Sequence, residues 1–556
     1  MALFEPIYSA SQKLRAIVPL DKRNKHLSFL IVLIATCLDN FSLATGITSL
    51  LSTQKHFNTT SVIASWTLSS YTLTLGAFIM LAGKLTDVLG PDLVFLVGIF
   101  GAGIASLINA VIEDQVIVLI VFRAIQGIFA ASLIPSSFAI AGVYYEGKQL
   151  GIAVNALVVA LTAVFGIATV LGGAFSLTNV GYKGAYYSVF ALAMVLFLIL
   201  YFSMYPVPRT KEHDDLSLKY LDYPAAVTLV VGILLIILGI TEGGDSWNRA
   251  SAYVPLVIGV IVTITGIWFE VIYLSNYKMN IESSLQRSSA VSAQGNPISN
   301  GNEKVDFDNT AHENSTSWRY KVQLLLPKEA FEIPSLYAYL IATFLLFITF
   351  IVGVVSMVQY YQFVNRDSAL LAGLKNLPIS VGLCFGAMVN QEGPVYKVGM
   401  KYCLLLSTLI LVGSTVWMSR HDFRIENSYW KYDAVSQLLF GYGFNLYFNI
   451  YINAILRRAP VHLHGVVSGL LQTVSQVAMS LGNSLLSSFL GDLEITDSVD
   501  YRVELQSKFR NALYLAISCA AVSFVALLFV KNQTSVESPP LKEEAVSNEI
   551  EDDPKV

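Results

Sequence analysis

Three formal charges lie within apolar stretches that otherwise carry almost none: Asp39, Arg123 and Lys375. A charge in hydrocarbon costs about 2.5–3.5 kcal/mol on insertion scales, so each one needs a partner or a task. Counted along a helix, Asp39 sits ~18 Å into its stretch and Arg123 enters from the opposite end. Both fall ~12 Å from the same membrane face. Opposite charges at one depth form a buried pair if their helices adjoin. Burial favours the protonated acid, and an adjacent arginine favours the carboxylate. A carboxylate held between those influences changes protonation when its arginine moves, which is the physical requirement of a proton-coupled step. A static ion pair that fixes helix packing is the plainer alternative. Lys375 lies close to the end of its stretch, where its stem can carry the ammonium to the headgroups. Glu270 is an edge residue by the same measure.

Uncharged polar residues form a second set. Asn445, Asn449 and Asn453 recur every four residues and share one helix face. Gln472, Gln476 and Asn483 nearly repeat the pattern. Such faces either line an aqueous cavity or cement helices together. With Gln126, and with Tyr442, Phe444, Tyr447 and Phe448 nearby, a cavity here would suit a polar or weakly basic solute.

The elements that position these residues are long apolar helices. The chain has 556 residues, 54% hydrophobic and 13% charged, against roughly 25% charged in a soluble domain. Fourteen stretches are long enough to cross a ~30 Å core: 27–51, 62–83, 93–112, 116–144, 150–175, 183–204, 223–241, 253–275, 335–363, 370–391, 402–418, 433–456, 466–490 and 511–530. With the N-terminus in the cytosol, about 23 Lys and Arg fall on the cytosolic side and about 10 outside, as the positive-inside rule requires. No cleavable signal peptide is read at the N-terminus. The four cysteines, Cys37, Cys384, Cys403 and Cys519, read as small apolar residues, with no disulfide framework or metal site.

The expected organisation is a cytosolic tail (1–26), a six-helix bundle (27–204) and a linker with two further spans (205–275). A disordered cytosolic loop (276–333), a second six-helix bundle (334–531) and an acidic cytosolic tail (532–556) follow. Lys13, Arg15, Lys22, Arg23 and Lys25 in the first tail act as a topology signal or a lipid-binding patch. Arg287-Ser288-Ser289 in the loop is a phosphorylation candidate. Asn58-Thr59-Thr60 is a glycosylation sequon on an outer loop, close to the membrane on both sides. Asn314-Ser315-Thr316 fits the pattern but is expected in the cytosol.

Several motifs resemble those of the major facilitator superfamily. Gly83-Lys84-Leu85-Thr86-Asp87-Val88-Leu89-Gly90, between spans 2 and 3, is similar to its G-x-L-x-D-x-x-G signature. There the glycines permit a tight turn, and an Asp at the position of Asp87 meets a helix N-terminus as a conformational latch. Pro91-Asp92 stands where the family usually continues with basic residues. Arg123-Ala124-Ile125-Gln126-Gly127 is similar to R-x-x-Q-G, whose Arg is linked to proton transfer. Ala168-Thr169-Val170-Leu171-Gly172-Gly173 keeps the last two glycines of the antiporter pattern G-P-x-x-G-G but lacks its Gly-Pro pair. Leu38-Asp39, the run Ser368 to Leu374 with Leu377-Pro378, Gly243-Gly244, Trp247 and Leu325-Leu326-Pro327 resemble the 14-span drug:proton antiporters. The stretch from Gly465 to Asn483 looks closest to the fungal aminotriazole-resistance and borate-efflux branch, which includes a low-affinity ammonium transporter.

The resemblance implies an all-α polytopic membrane protein of two six-helix bundles with two inserted helices. A faint internal repeat supports it, with Lys397, Gly399 and Lys401 in the place of Gly83–Gly90 and Tyr396 in that of Asp87. The expected function is proton-coupled export of small solutes or drugs by alternating access. Uptake of ammonium or another small cation or nutrient, and a transporter-like nutrient sensor working through the 276–333 loop, are the alternatives. No cofactor beyond a proton gradient is expected, and no G-x-x-x-x-G-K-[ST] occurs. An enzyme is not expected: there is no HExxH or GxSxG, and His26, His56, His213, His312, His421, His462 and His464 lie near or outside membrane edges. The expected partners are a small-molecule or ion substrate and the lipid bilayer, without nucleic acid. The chain is expected as a monomer in the plasma membrane, the vacuolar membrane being the alternative.

Overall fold

The computed structural model describes residues 19, 23–205, 207, 222–243, 248–293, 318–322, 324, 326, 328–389, 399–456, 458–459, 464–495 and 498–531. These residues are helical, with no strand among them. In chain order the long helices are α1 (Lys25–Phe57), α2 (Ser61–Leu89), α3 (Pro91–Val111), α4 (Val116–Tyr144), α5 (Gly147–Ser176) and α6 (Lys183–Ser203). The linker pair is α7 (Tyr223–Gly243) and α8 (Ala250–Trp268). The second set is α9 (Leu336–Phe363), α10 (Ala369–Ala387), α11 (Met400–Met418), α12 (Ala434–Leu456), α13 (His464–Leu490) and α14 (Val499–Leu528).

Twelve of these helices are long and apolar enough to cross a membrane by length and composition. The other two of the predicted fourteen, α12 and α13, are 23 and 27 residues long. Their amides, glycines and serines make them too polar to register by hydropathy, because those groups face protein and not lipid. Large apolar side chains such as Ile117, Ile152, Leu198, Ile264, Phe385 and Val522 are exposed on the outside of the assembly. Many buried hydroxyls bond to their own helix, as Thr36 Oγ1 does by donating to Val32 O at 2.8 Å and Thr45 Oγ1 to Phe41 O at 2.8 Å.

Local sequence sets the breaks. Gly90 turns α2 into α3 with φ of 91°, a left-handed conformation that glycine adopts freely, and Pro91 opens α3. α4 is interrupted at Ala131 and Ser132, four and three residues before Pro135, whose ring opposes the carbonyl of Ala131. α10 is interrupted in the same way at Asn376, ahead of Pro378. α5 carries no proline and runs unbroken for 30 residues.

The two bundles meet in a crossed pattern. α2, second in its bundle, packs on α13, fifth in the other; α5, fifth in its bundle, packs on α10, second in the other. This exchange is the internal repeat that the loops only hinted at. α7 and α8 pack mainly on each other through glycines: a Cβ on Gly239 would lie 2.5 Å from Leu256 N, and one on Gly259 2.6 Å from Ile236 N.

The expected disordered loop differs from the structure at both ends. α8 passes through a π-helical turn (Phe269–Leu274) and continues as a helix over Ser275–Ala293, which includes Arg287-Ser288-Ser289. Beyond it, Arg319 Nη1 donates to Tyr273 Oη at 3.1 Å and Lys278 Nζ donates to Val322 O. Glu270 is buried and accepts the Leu326 N–H at 2.6 Å, so it is a structural anchor, not the edge residue expected. α14 also starts a dozen residues before the predicted span, capped by Ser498, whose hydroxyl accepts from Tyr501 N at 3.3 Å. Lys13, Arg15 and Lys22, Gly244 and Trp247, Asn314, Leu325 and Pro327, Tyr396 and Lys397, His213, His312 and His462, and the acidic tail lie outside the described residues.

Candidate functional site

Asp39, on α1, is 3% exposed and Arg123, on α4, is 0% exposed. They lie in one network, as the depth argument expects, but no direct ion pair joins them. Tyr71 of α2 stands between. Its hydroxyl donates to Asp39 Oδ1, and the Arg123 guanidinium rests 4.1 Å from its ring centroid. Arg123 spends its other donors on polar oxygens: Nε on Thr67 O at 3.0 Å, Nη1 on Ser42 Oγ and on Gln126 Oε1, both at 2.9 Å. Its Nη2 has no hydrogen-bond acceptor. A desolvated cation over an aromatic face gains about 2 kcal/mol.

Gln126 completes the network. Its Oε1 also accepts from Asn109 Nδ2 at 3.1 Å, and its Nε2 donates to Ser42 Oγ at 3.3 Å. It is therefore held inside the first bundle as a partner of Arg123. Gly127 lets α4 approach α2: a Cβ there would lie 2.4 Å from Tyr71 O and 2.2 Å from Thr74 Oγ1. The R-x-x-Q-G run thus sets the arginine, its acceptor and the backbone contact that brings Tyr71 under it. A small cavity with room for about one water lies beside the network, lined by Asp39, Ser42, Tyr71 and Gln126 together with apolar residues of α3, α4 and α6.

The amide faces resolve into helix contacts at most positions. Asn445 Nδ2 donates to Leu383 O at 2.6 Å and Asn449 Nδ2 to Ala387 O at 3.2 Å, tying α12 to α10. Asn453 donates to Asn449 O at 2.8 Å within α12. Asn483 joins the bundles, donating to Ser69 Oγ at 2.8 Å. Gln476 is buried against α2, with its Cβ 2.7 Å from where a Cβ on Gly76 would stand and its Oε1 unpartnered; Gln472 is half-buried. Gln476 is thus the candidate whose acceptor stays available beside the seam.

Hydrogen bonds stitch the bundles along the halves that the charge distribution assigns to the outside. Ser480 Oγ donates to Ser69 O at 3.0 Å, Ser487 Oγ to Ser65 Oγ at 2.8 Å, and Gln362 Nε2 to Thr48 O at 3.0 Å. At the rim, Ser61 N donates to Asp492 Oδ1 at 2.7 Å and Gln54 Nε2 to Leu493 O at 2.9 Å. The two glycines of the span-5 motif face different neighbours. A Cβ on Gly172 would meet Thr45 Cα of α1, in the same bundle, at 2.7 Å, and one on Gly173 would meet Ala369 O of α10, across the seam, at 2.4 Å.

The remaining candidates sit at the rims. Gly90 forms the α2–α3 turn, Gly83 lies in the last two turns of α2 and not in a loop, and Asp87 is exposed on the last turn of that helix. Asn58 is exposed and caps α1 with φ of 46°. Lys375 does not simply snorkel: its ammonium pairs with Asp367 at 2.5 Å and lies 5.3 Å from the ring centroid of Tyr361. All four cysteines are free thiols. Sequence reasoning missed Tyr71. The available signal was a tyrosine in span 2 at the depth of Asp39 and Arg123.

The sequence profile of the Major Facilitator Superfamily matches residues 29–483. Multidrug resistance protein 3 of Bacillus subtilis is 22% identical over 83% of this chain and 78% of its own length. A puromycin resistance protein of Streptomyces alboniger is 27% identical over 39% of this chain, and the match spans only 42% of that protein. The low affinity ammonium transporter of Saccharomyces cerevisiae is 28% identical over 37% of this chain and 41% of its own length. Among solved structures, the human organic anion transporter TETRAN superposes with a TM-score of 0.54 at 14% identity, covering 91% of this chain and all of that one. A profile spanning both bundles, with the fold to match, leaves one assignment: this multi-pass membrane protein belongs to the major facilitator superfamily.

Proposed function

We propose that the protein is a proton-coupled exporter of small organic or inorganic solutes working by alternating access. The observation that carries the proposal is Asp39, a carboxylate buried in the first bundle that accepts the hydroxyl of a tyrosine which also supports a buried arginine. Taking up a proton at Asp39 weakens the bond from Tyr71 and frees that tyrosine to move with Arg123. The proton then biases one bundle orientation by its differential affinity for the two states. The stitched outer seam supports a state closed on that side, with release requiring those bonds to part. Relatives named for multidrug and puromycin resistance support efflux. The energy source is the proton gradient, without cofactor, and the chain acts as a monomer in the plasma membrane.

A second reading, uptake of ammonium or a similar small cation, is favoured by the named yeast relative and by the unkinked α5, which lacks the antiporter Gly-Pro pair. Everted vesicles with an imposed proton gradient separate the two. Solute accumulation that requires an acidic lumen supports export; accumulation indifferent to the gradient removes proton antiport.

A further inference from the structure

We propose that His421 is a second proton-binding site, in the C-terminal bundle and independent of Asp39. His421 follows α11 by three residues and is buried. Its Nδ1 lies 2.5 Å from Asp433 Oδ2, at the start of α12. Ser428 Oγ is a weaker neighbour of Nδ1 at 3.4 Å. Asp433 is 0% exposed, and the same Oδ2 accepts the hydroxyl of Tyr361 at 2.8 Å, which in turn accepts from Gln437 Nε2 at 2.7 Å. A buried carboxylate with two donors remains a net negative charge while the imidazole is neutral, and is neutralised when the imidazole is charged.

The other ring nitrogen is positioned to take that proton. His421 Nε2 has no hydrogen-bond partner, and His421 lines a small cavity together with Ser356 and Gln506. Ser356 Oγ and Gln506 Oε1 are likewise buried and unpartnered. A proton on Nε2 needs an acceptor, and this cavity offers Ser356 Oγ, Gln506 Oε1 and the likewise unpartnered Tyr360 Oη, directly or through one water. Gln506 is oriented by its Nε2, which donates to His421 O at 3.1 Å.

The other titratable groups around the ring are largely committed. Tyr360 packs edge-on at 4.3 Å between ring centroids, and Tyr361 and Tyr429 complete the aromatic wall. Lys375 is paired with Asp367, Asp422 with Arg424, and Lys508 with Glu504. Arg502 Nε donates to Val364 O at 2.7 Å, while Arg510 lines the cavity from its exposed side and Arg420 and Lys431 are exposed. Asp433 is thus the acidic group in direct contact with the imidazole. The site also has a mechanical readout. Tyr360 and Tyr361 contact His421 and Asp433, and the next residue, Gln362, donates to Thr48 O across the bundle seam. Protonation at His421 therefore acts on the α9 segment that holds the two bundles together.

The test is carbon–proton NMR of the full chain in lipid nanodiscs, with ring-labelled histidine, titrated between pH 5 and 8, the range in which histidine ordinarily changes charge. The His421 signal is the one lost in His421→Gln. It should titrate, and Asp433→Asn, by removing the negative charge, should lower its midpoint by at least tenfold in proton affinity. Asp39→Asn should leave it unmoved. If Asp433→Asn does not fold, Tyr361→Phe should raise the midpoint, because the carboxylate loses a competing donor. A His421 signal that does not titrate in this range overturns the proposal. So does a midpoint indifferent to Asp433→Asn or, where that variant does not fold, to Tyr361→Phe, or one that follows Asp39→Asn.

Discussion

Arg123 rests on the ring of Tyr71, 4.1 Å from its centroid, while the hydroxyl of the same tyrosine is given to Asp39. The tyrosine is thus a joint between two buried charges. Motion of either charge must pass through it, which a direct ion pair would not require.

Tyr71→Phe separates the two roles of that joint. The ring under Arg123 is kept and the hydrogen bond to Asp39 is lost. A bond to a charged group contributes about 1.5–3 kcal/mol. Gradient-driven transport should therefore fall by roughly tenfold or more, and stability by no more than that one bond. Tyr71→Leu removes the ring under Arg123 as well and should lose more stability, read by thermal unfolding in detergent. Equal behaviour of the two variants would remove the distinction.

Gly173, in the seam, makes a prediction about conformation. A Cβ at Gly173 would collide with Ala369 O only while α5 and α10 are in contact. Gly173→Ala should cost the closed state about 1–3 kcal/mol. The population shifts toward an open seam, measured as faster labelling of a cysteine placed at Ser487 by an impermeant reagent. Gly151→Ala, with no atom near its added Cβ, is the matched control and should label at the parental rate.

Asn445 tests the division of the amides between packing and cavity. Its donation to Leu383 O is a helix contact. Asn445→Ala should lower stability by about 0.6–1.7 kcal/mol, the range measured for interhelical bonds in bilayers, and leave the substrate concentration for half-maximal transport unchanged. A large rise in that concentration with stability intact would place Asn445 in the substrate path.

Much of the fold was legible in the apolar stretches, because a bilayer forces each crossing into one long helix. Helix ends were less so: α14 extends beyond its apolar part with a polar, capped turn, and α8 continues into a segment whose composition reads as loop. The depths of Asp39 and Arg123 placed them together correctly, since 1.5 Å per residue is a fixed rise. What interposes between them was not legible. Which side chain fills the space between α1 and α4 depends on the approach of α2, set by Gly127 against Tyr71. His421 and Asp433 escaped notice for a related reason. Each lies at an edge by sequence and is buried only by the folding of the α11–α12 connection over α9.

The central claim is that Asp39 carries the coupling proton. Asp39→Asn keeps the size of the side chain and one oxygen that can accept from Tyr71, but cannot ionise. In everted vesicles holding equal amounts of inserted protein, an imposed proton gradient should drive solute accumulation by the parent chain and none above background by Asp39→Asn. Full gradient-driven accumulation by that variant would contradict the account.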